Sequence, residues 1–392
     1  MTSDLRQIYS SLYQYCEGEE FAGWDPFDGL NSRFFLYTPL QGMAAARFAW
    51  QQVIKRIPIN LRPLLLVKKG VNAKALALFA LAEHSMFRHK GDEIHQNNAA
   101  ELLDVLRGLA IRGVSSSGEP TKAFGYNFDW QSRVFYAPKG TPTIVPTAFA
   151  ARAFVESYKL FGEEDDLEFA KEICGFILNE LETPHRNEDE ICFSYKPNDT
   201  SLIYNASLLA GETLAAVGAI ISSDEMRDAA AKAMRYVLRR QSEDGSWLYG
   251  PGSKHQWIDN FHTAFVLSSL DRINENLGNK EAEAAIKKGL SYWIEKFFLD
   301  DGTPKYFDRE TYPIDIHSAG AAIATLSEFK DLDDRVLPLA EKIAEWTIAN
   351  LRDPAGFFYY QKGRLMTVKT PFMRWGQAWM AYGLSKLIEA RT

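Results

Sequence analysis

The chain has 392 residues and a formal net charge of −7. An acidic chain without runs of like charge is not expected to bind nucleic acid, because its field repels phosphate backbones. Its three scattered cysteines, Cys16, Cys174 and Cys192, are too few for a disulfide framework or a four-cysteine metal site. No segment resembles a signal peptide or approaches the roughly 20 apolar residues of a membrane span. We therefore expect a cytoplasmic protein without a metal or another cofactor.

Residues 1–40 are irregular in pattern. The stretch FAGWDPFDGLNSR places Trp24, Asp25 and Asp28 close together. Asp-Pro and Asp-Gly pairs favour turns, which is one explanation of this composition. The other is that residues 1–40 form an N-terminal extension that covers a binding site and contributes Trp24, Asp25 and Asp28 to substrate binding.

Helical patterns of two kinds alternate after residue 40. One kind is apolar nearly all round, as at 72–87 and 204–221, and suits an inner helix that is buried on several sides. The other kind has one apolar stripe and one charged face, which suits an outer helix. Outer helices are predicted at 43–53, 97–112, 165–181, 224–241, 280–297 and 334–351.

The inner segments recur with a nearly constant period. They begin at joints 58, 57, 55 and 59 residues apart, namely Thr147, Asn205, His262, His317 and Gly376. Such a period indicates a helical repeat protein. With the pair at 43–53 and 72–87, the count reaches six, so we predict an all-α (α/α)6 toroid. It has six inner and six outer helices, short hairpin-like loops at one face, and a single domain over residues 1–392. An open superhelix of the same repeats is the alternative.

The loops before the inner helices are rich in aromatic residues. Loops 124–147, 192–205, 246–262, 302–317 and 356–376 contain 22 of the 51 aromatic residues within 92 positions. If the inner helices run parallel, these loops meet at one end of the ring, where their rings could stack on sugars or simply pack on the helix ends. The predicted substrate-binding residues of these loops are Asn127, Trp130, Arg133, Tyr204, Trp257, Tyr312, Arg374 and Trp375.

The same loops are positive on an acidic chain. They sum to a formal charge of +4, whereas the rest of the chain carries −11. Inner-helix N-termini that point to the same place would add the positive ends of their dipoles. The pattern predicts an anionic ligand, and solvated surface lysines are the alternative explanation.

Acidic and histidine residues recur at two joints. Asp259 and Asp315 precede His262 and His317 by three and two residues, and Asp129 lies in the first aromatic loop. Asp and His together can carry out acid and base chemistry, although an Asp at a helix start also commonly caps the helix. We predict these five residues as catalytic.

With the repeats in place, the whole chain resembles the (α/α)6 toroid architecture of several glycoside hydrolases, polysaccharide lyases and sugar epimerases. FAGWDPFDGLNS, YNFDWQSR and the order of repeats also resemble proteins encoded with bacterial exopolysaccharide biosynthesis genes. The resemblance implies a pair among Asp129, Asp259 and Asp315 for a hydrolase, and His262 with His317 for a sugar 2-epimerase. A lyase would use Asn, His, Tyr and Arg residues, for which Asn127, His262, His317, Tyr312 and Arg374 are available. Fold does not choose among these activities.

A second motif, QSEDGSW at 241–247, resembles the QW repeat of triterpene cyclases, with looser echoes at LDDGTPKYF and RDPAGFFYY. In those cyclases the repeat is structural, which implies structural roles for Gln241 and Trp247. The chain lacks an Asp-rich cyclase motif, so a terpene cyclase is the less favoured interpretation.

The leading hypothesis is an enzyme that acts on an acidic or substituted polysaccharide by hydrolysis or uronate elimination, linked to exopolysaccharide metabolism. A non-catalytic glycan-binding component and a sugar epimerase are the alternatives. Two carboxylates facing each other across a cleft, about 5 to 10 Å apart, would favour a glycosidase. A Tyr, His and Arg cluster without that pair would favour a lyase or an epimerase.

Overall fold

The computed structural model describes residues 2–116, 118–132 and 135–392. Its helices in chain order are α1 (Thr2–Gly18), α2 (Arg33–Leu36), α3 (Ala44–Arg56), α4 (Ala73–Lys90), α5 (Glu93–Gly108), α6 (Ile144–Phe161), α7 (Glu164–Asn179), α8 (Tyr204–Ile220), α9 (Asp224–Leu238), α10 (Asn260–Leu277), α11 (Lys280–Phe297), α12 (Ile316–Glu328), α13 (Val336–Leu351) and α14 (Ala378–Ala390). A π-helical turn, Met373–Gln377, leads directly into α14. In the part of the chain that is described, no helix has the length and apolar character needed to cross a membrane.

Six of these helices form a closed inner ring. Each packs on the next in the order α4, α6, α8, α10, α12 and α14, and α14 returns to pack on α4. All six begin at the same cavity, which is lined by a residue at or near the start of each helix: Lys74, Val145, Asn205, His262, His317 and Trp375. The inner helices therefore run parallel, and the (α/α)6 toroid with its closed ring is confirmed.

Capping side chains and glycines mark the ends of several inner helices. The Asn72, Asp259 and Asp315 side chains accept hydrogen bonds from backbone N–H groups in the first turns of α4, α10 and α12. Such caps satisfy donors that have no partner within the helix. At the other end, Gly91 and Gly278 adopt left-handed conformations that terminate α4 and α10.

The outer ring is formed by α5, α7, α9, α11, α13 and α1, so its sixth member comes from the start of the chain. Three glycines with positive φ show the repeat directly. Gly245 lies against Lys288 of α11, Gly302 against Lys342 of α13, and Gly356 against Ser11 of α1. Each glycine follows one outer helix and touches the next one. Because Gly356 follows α13, its contact identifies α1 as the helix that closes the outer ring.

The first of these turns belongs to QSEDGSW. The Gln241 amide donates hydrogen bonds to the Gly245 and Ala285 carbonyls, and the Trp247 indole N–H donates to Val237. These bonds join the end of α9 to the turn and to α11. The structural roles predicted for Gln241 and Trp247 are confirmed.

The prediction of an outer helix at 43–53 is wrong. The helix is present there as α3, but it packs on the short helices of residues 28–42 and on the Trp130–Gln131 strand rather than on the inner ring. The division at residue 40 also differs from the structure. Residues 2–18 belong to the ring, and residues 22–72, which we call the cover segment, lie over the cavity.

Short antiparallel strands form the loops at the cavity end. They are β1 (Ala22–Gly23), β2 (Gly70–Val71), β3 (Ile111–Val114), β4 (Pro120–Ala123), β5 (Trp130–Gln131), β6 (Tyr136–Ala137), β7 (His185–Arg186), β8 (Ile191–Cys192), β9 (Ile314–Asp315), β10 (Gln361–Lys362) and β11 (Thr367–Val368). β1 pairs with β2 and thereby fastens both ends of the cover segment to each other. The other strands pair as three hairpins and one three-stranded sheet, β11-β10-β9.

The closing contact of the outer ring gives a stability prediction. A Cβ at position 356 would lie 2.6 Å from the Ser11 Oγ, and the residue has a φ of +102°, so Gly356→Ala adds steric overlap to backbone strain. We expect it to cost about 2 kcal/mol more than Gly278→Ala, which carries strain of a similar kind at a φ of +66° but meets open space. Urea unfolding of both variants measures the difference. Equal stability of the two variants would contradict the assignment of α1 to the ring.

Candidate active site

The cavity at the N-terminal ends of the inner helices has a volume of about 750 Å³. Loops from every repeat and the cover segment line it. Its described walls contain four of the predicted substrate-binding residues, Trp130, Trp257, Arg374 and Trp375. Of the predicted catalytic residues, Asp259, His262 and His317 line it.

The cover segment is held in place by two buried ion pairs. Arg374 donates from Nε and Nη2 to the two carboxylate oxygens of Asp25, at 2.6 and 2.8 Å. Arg62 donates from Nε to Asp28 at 2.6 Å and from Nη2 to the Asp25 carbonyl. Asp25 and Asp28, expected at the substrate, instead anchor the segment that covers it.

Trp24 has the same kind of role. Its indole N–H donates to the Val67 carbonyl at 2.9 Å, and its own carbonyl accepts from the backbone N–H of Met373. These bonds join the start of the cover segment to its end and to the first turn of the last inner helix. Trp24 is absent from the described cavity wall.

The cover segment contributes its own side chains to the cavity, chiefly from α3. Gln51, Gln52 and Lys55 line it. The Lys55 ammonium lies 4.2 Å from the centre of the Phe27 ring and 5.4 Å from that of Trp375. Burial lowers the pKa of Lys55 to about 8, partly offset by Asp315.

Asp259 and His262 form a hydrogen-bonded pair on the cavity wall. Asp259 Oδ2 lies 2.6 Å from His262 Nδ1 and also accepts from the Trp257 indole N–H, while Oδ1 caps α10. Asp259 is nearly fully buried, whereas His262 keeps 22% of its side chain exposed. Because the carboxylate holds Nδ1, the remaining nitrogen, Nε2, is the atom available to a ligand.

His317 lies beside this pair. Its ring centre is 4.6 Å from that of Phe261, and the His262 ring centre is 4.1 Å from the same phenyl ring. The two imidazoles are therefore separated by no more than the sum of these distances. Burial lowers the pKa of His317 well below its usual value, and Lys74 acts in the same direction, so the ring is neutral at pH 7.

Asp315 does not reach the cavity wall. Fully buried, it accepts hydrogen bonds from the Trp375 indole N–H at 2.8 Å, from the Gln361 amide at 3.0 Å, and from the His317 backbone. Burial raises its pKa to about 6, opposed by Lys55. Asp315 therefore caps α12 and positions Trp375. Helix capping is the alternative role that the sequence analysis gave for an Asp at a helix start.

The other predicted residues lie elsewhere. Asp129 accepts from the Lys139 backbone at 2.7 Å, and Asn127 accepts from the Asn72 amide, both outside the described cavity wall. Tyr204 packs on Tyr236, and Tyr312 lies on the surface. Arg133 lies outside the described residues.

The cavity therefore has no carboxylate pair among its described lining residues. Asp259 is the only acidic side chain there, against Lys55, Arg56, Lys74 and Arg374. Residues 2–116, 118–132 and 135–392 also bring no three metal-ligating side chains together. Arg374 is the cation that the positive aromatic loops contribute to the described wall. Lys362 instead donates to Asn350, and Arg62 is in its ion pair.

The most informative residue missed by the sequence analysis is Lys74. It is 2% exposed at the start of α4 and lines the cavity. The helix reads AKALALFALA, so a single lysine interrupts an otherwise apolar inner segment. A lone charge in a segment that must be buried was a usable signal.

Below the cavity, ion pairs fill the axis of the ring. Arg152 of α6 donates to both carboxylate oxygens of Glu212 of α8, and Arg272 of α10 donates to Glu328 of α12 at 2.7 Å. Successive inner helices from α6 to α12 thus contribute side chains of alternating charge to the axis. Phe265 lines both the cavity and the small space among these residues, which makes it part of the cavity floor.

Comparison with known proteins identifies fold relatives. No protein-family model matches the sequence, and no curated protein sequence is significantly similar to it. Among solved structures, the chain is similar to cellobiose 2-epimerase from Bacillus thermoamylovorans B4167, with a TM-score of 0.63 and 13% identity over 83% of this chain and 90% of that one.

Two other similar structures have different activities. One is the GH76 α-mannanase BT2949 of Bacteroides thetaiotaomicron, with a TM-score of 0.61 and 12% identity over 81% of this chain and 86% of that one. The other is an unsaturated glucuronyl hydrolase specific for heparin, with a TM-score of 0.58, 12% identity and the same coverage. At these identities the similarity establishes the shared (α/α)6 toroid fold.

Proposed function

We propose that the protein is a carbohydrate-active enzyme that removes a carbon-bound proton from a sugar, next to a carbonyl or carboxylate group. Elimination from a uronate and epimerisation both begin with this step. The observation that carries the proposal is the Asp259–His262 pair on a cavity wall whose described residues include no second carboxylate. An epimerase and a glucuronyl hydrolase among the fold relatives are in keeping with a sugar ligand.

His262 is the base in this proposal. Asp259 holds Nδ1 as the protonated nitrogen and stabilises the imidazolium that forms when Nε2 accepts the substrate proton. The electron pair left on carbon moves to the carbonyl or carboxylate oxygen. Lys55 on the cavity wall adds positive charge near that oxygen.

Aromatic side chains provide the sugar-binding surface. Tyr249 and Trp257 stack with ring centres 4.5 Å apart on the same wall as His262. Apolar ring faces of this kind suit the C–H faces of sugars. Glycoside hydrolysis by the usual two-carboxylate route is less well supported, because Asp129 and Asp315 are absent from the described wall. The link to exopolysaccharide metabolism stays a prediction from the sequence.

A hydrogen-exchange experiment tests the proposal. In D₂O, the protein should exchange carbon-bound hydrogen of its sugar substrate for deuterium, visible by NMR in a panel of reducing disaccharides and uronate-containing oligosaccharides. His262→Gln keeps a hydrogen-bonding side chain but cannot take up the proton, so exchange should fall on the order of a hundredfold or more. Formation of an unsaturated uronate, followed by ultraviolet absorbance, would identify elimination.

His89→Gln is the matched control, because His89 lies in the last turn of α4, at the end of the ring remote from the cavity. It should leave exchange unchanged, and both variants should unfold at temperatures close to that of the wild type. Glycan binding with no exchange on any sugar of the panel would contradict an enzyme of this type and favour a glycan-binding protein.

A further inference from the structure

Two polar side chains on the cavity floor have no partner among the described residues. The Lys74 ammonium nitrogen lies 4.3, 4.8 and 5.0 Å from the ring centres of Phe149, Phe265 and Trp379, and no described acceptor hydrogen-bonds to it. A buried amine surrounded by ring faces is costly unless something binds it. The floor therefore contains an unused donor.

His317 is the second such group. It is 1% exposed, and neither Nδ1 nor Nε2 has a hydrogen-bond partner. Its ring centre is 5.0 Å from Trp379 and 5.9 Å from Phe265, two of the three rings that surround Lys74. Lys74 and His317 thus share one aromatic floor, and both line the cavity.

The charges around this floor are mostly positive. Arg374 in the π-helical turn and Arg152 of α6 act on Lys74. His262 of α10 and Lys55 of α3 act on His317. Asp25 is the nearby anion, but Arg374 already pairs with it. Burial, Arg374 and Arg152 together hold the pKa of Lys74 well below its usual value. Both floor groups therefore lose a proton more readily than exposed lysine and histidine side chains do.

We propose that Lys74 and His317 form a subsite for the carboxylate of a sugar acid, and that this carboxylate binds together with one proton. A carboxylate has two acceptor oxygens, one for the ammonium that Lys74 becomes and one for the N–H of His317. The proton comes from solvent and ends on Lys74 Nζ. A neutral hydroxyl would not compensate a buried ammonium in this way.

The inference rests on the proposed function and narrows it to uronates. In a uronate, the acidic carbon is bonded directly to the carboxylate carbon. Neutralising the carboxylate at the floor makes the neighbouring C–H more acidic, which helps a base on the adjacent wall. Lys74 therefore binds the carboxylate of the substrate, whereas His262 takes the proton from the neighbouring carbon.

Calorimetry of the intact protein measures the coupled proton. A glucuronate-containing disaccharide is titrated into His262→Gln at neutral pH, in buffers that differ in ionisation enthalpy, so that binding is observed without turnover. We expect uptake of about one proton per site, and much weaker binding of the neutral glucose counterpart. Uptake near zero, or equal binding of the two sugars, would overturn the subsite.

Two variants of Lys74 distinguish the effect of its positive charge from the effect of its uptake of a proton. In the His262→Gln background, Lys74→Met should lose both proton uptake and the preference for the acid. Lys74→Arg, which is already protonated, should lose the uptake but keep a preference. Lys330→Met on the surface should change neither. Unchanged uptake in Lys74→Met would refute the assignment to this lysine.

The two proposals fail in different ways. Proton uptake on uronate binding with no deuterium exchange in the wild type would remove the proposed function and leave the subsite. Exchange on neutral sugars without uronate binding would leave the proposed function and remove the subsite.

A separate inference concerns the outer surface of the cover segment. Nine of the nineteen exposed large hydrophobic side chains among the described residues lie between positions 34 and 66: Phe34, Leu36, Tyr37, Leu40, Met43, Val53, Ile59, Leu64 and Leu66. The Ser32 hydroxyl donates to the Leu65 carbonyl, which joins the two loops that carry most of them. Such a concentration of exposed apolar groups marks an interaction surface.

The charge of this surface identifies its partner. The sequence has no acidic residue between Asp28 and Glu83, although the chain as a whole is acidic. Arg33, Arg56 and Lys68 are exposed within the same stretch. In one of these loops, Leu64 and Leu66 are exposed within four residues of Lys68. Apolar tips flanked by basic residues suit a lipid surface with anionic headgroups.

We infer that the cover segment attaches the protein to anionic membranes, with its apolar tips in the headgroup region. The protein should float with vesicles of phosphatidylcholine mixed with phosphatidylglycerol, and less so as salt is added. Leu66→Ser combined with Lys68→Gln should weaken this binding roughly tenfold. The control, Lys330→Gln combined with Leu332→Ser, carries the same pair of changes at another exposed site and should bind as the wild type does.

Flotation with pure phosphatidylcholine to the same extent would contradict the role of charge. If no vesicle binds, and sedimentation instead shows a dimer that Leu66→Ser with Lys68→Gln disrupts, the surface is a protein interface and the inference is wrong.

Discussion

The bidentate ion pair between Arg374 and Asp25 is the interaction on which the site depends. It joins residues 349 positions apart and is almost fully buried at both ends. Removing one partner of such a pair leaves an uncompensated buried charge, which typically costs about 3 to 5 kcal/mol. On one side the pair fixes the start of the last inner helix and Trp375. On the other it holds the cover segment, which places Phe27 and Lys55 over the cavity.

The inner ring was readable from the sequence because each repeat must bury an apolar helix behind an aromatic loop. The sixth outer helix was not assigned, although Leu5, Ile8, Tyr9, Leu12, Tyr13 and Cys16 follow a helical spacing and are buried. The short pattern at 43–53 predicts an outer helix instead, because it stands just before the first inner helix. Local pattern could not show that the cover segment separates α1 from α4.

The site was predictable where the repeat itself carries chemistry, as at Asp259 and His262. It was not predictable where function depends on which atoms a folded partner already occupies. Asp25, Asp28 and Asp315 have the side chains expected of a sugar site, yet arginines and an indole N–H use their oxygens. The origin of the positive charge in the cavity was not predictable from the sequence either. The cavity takes more of its cations from the cover segment and α4 than from the aromatic loops.

The central claim is that the cavity formed by the inner helix starts and the cover segment binds a sugar against His262. A crystal structure of His262→Gln soaked with a glucuronate-containing disaccharide tests it most directly. The account predicts the carboxylate at Lys74 and His317 on the floor, with the adjacent C–H directed to the side chain at position 262. A disaccharide bound on the outer surface of the aromatic loops, with the cavity free of sugar, would contradict it.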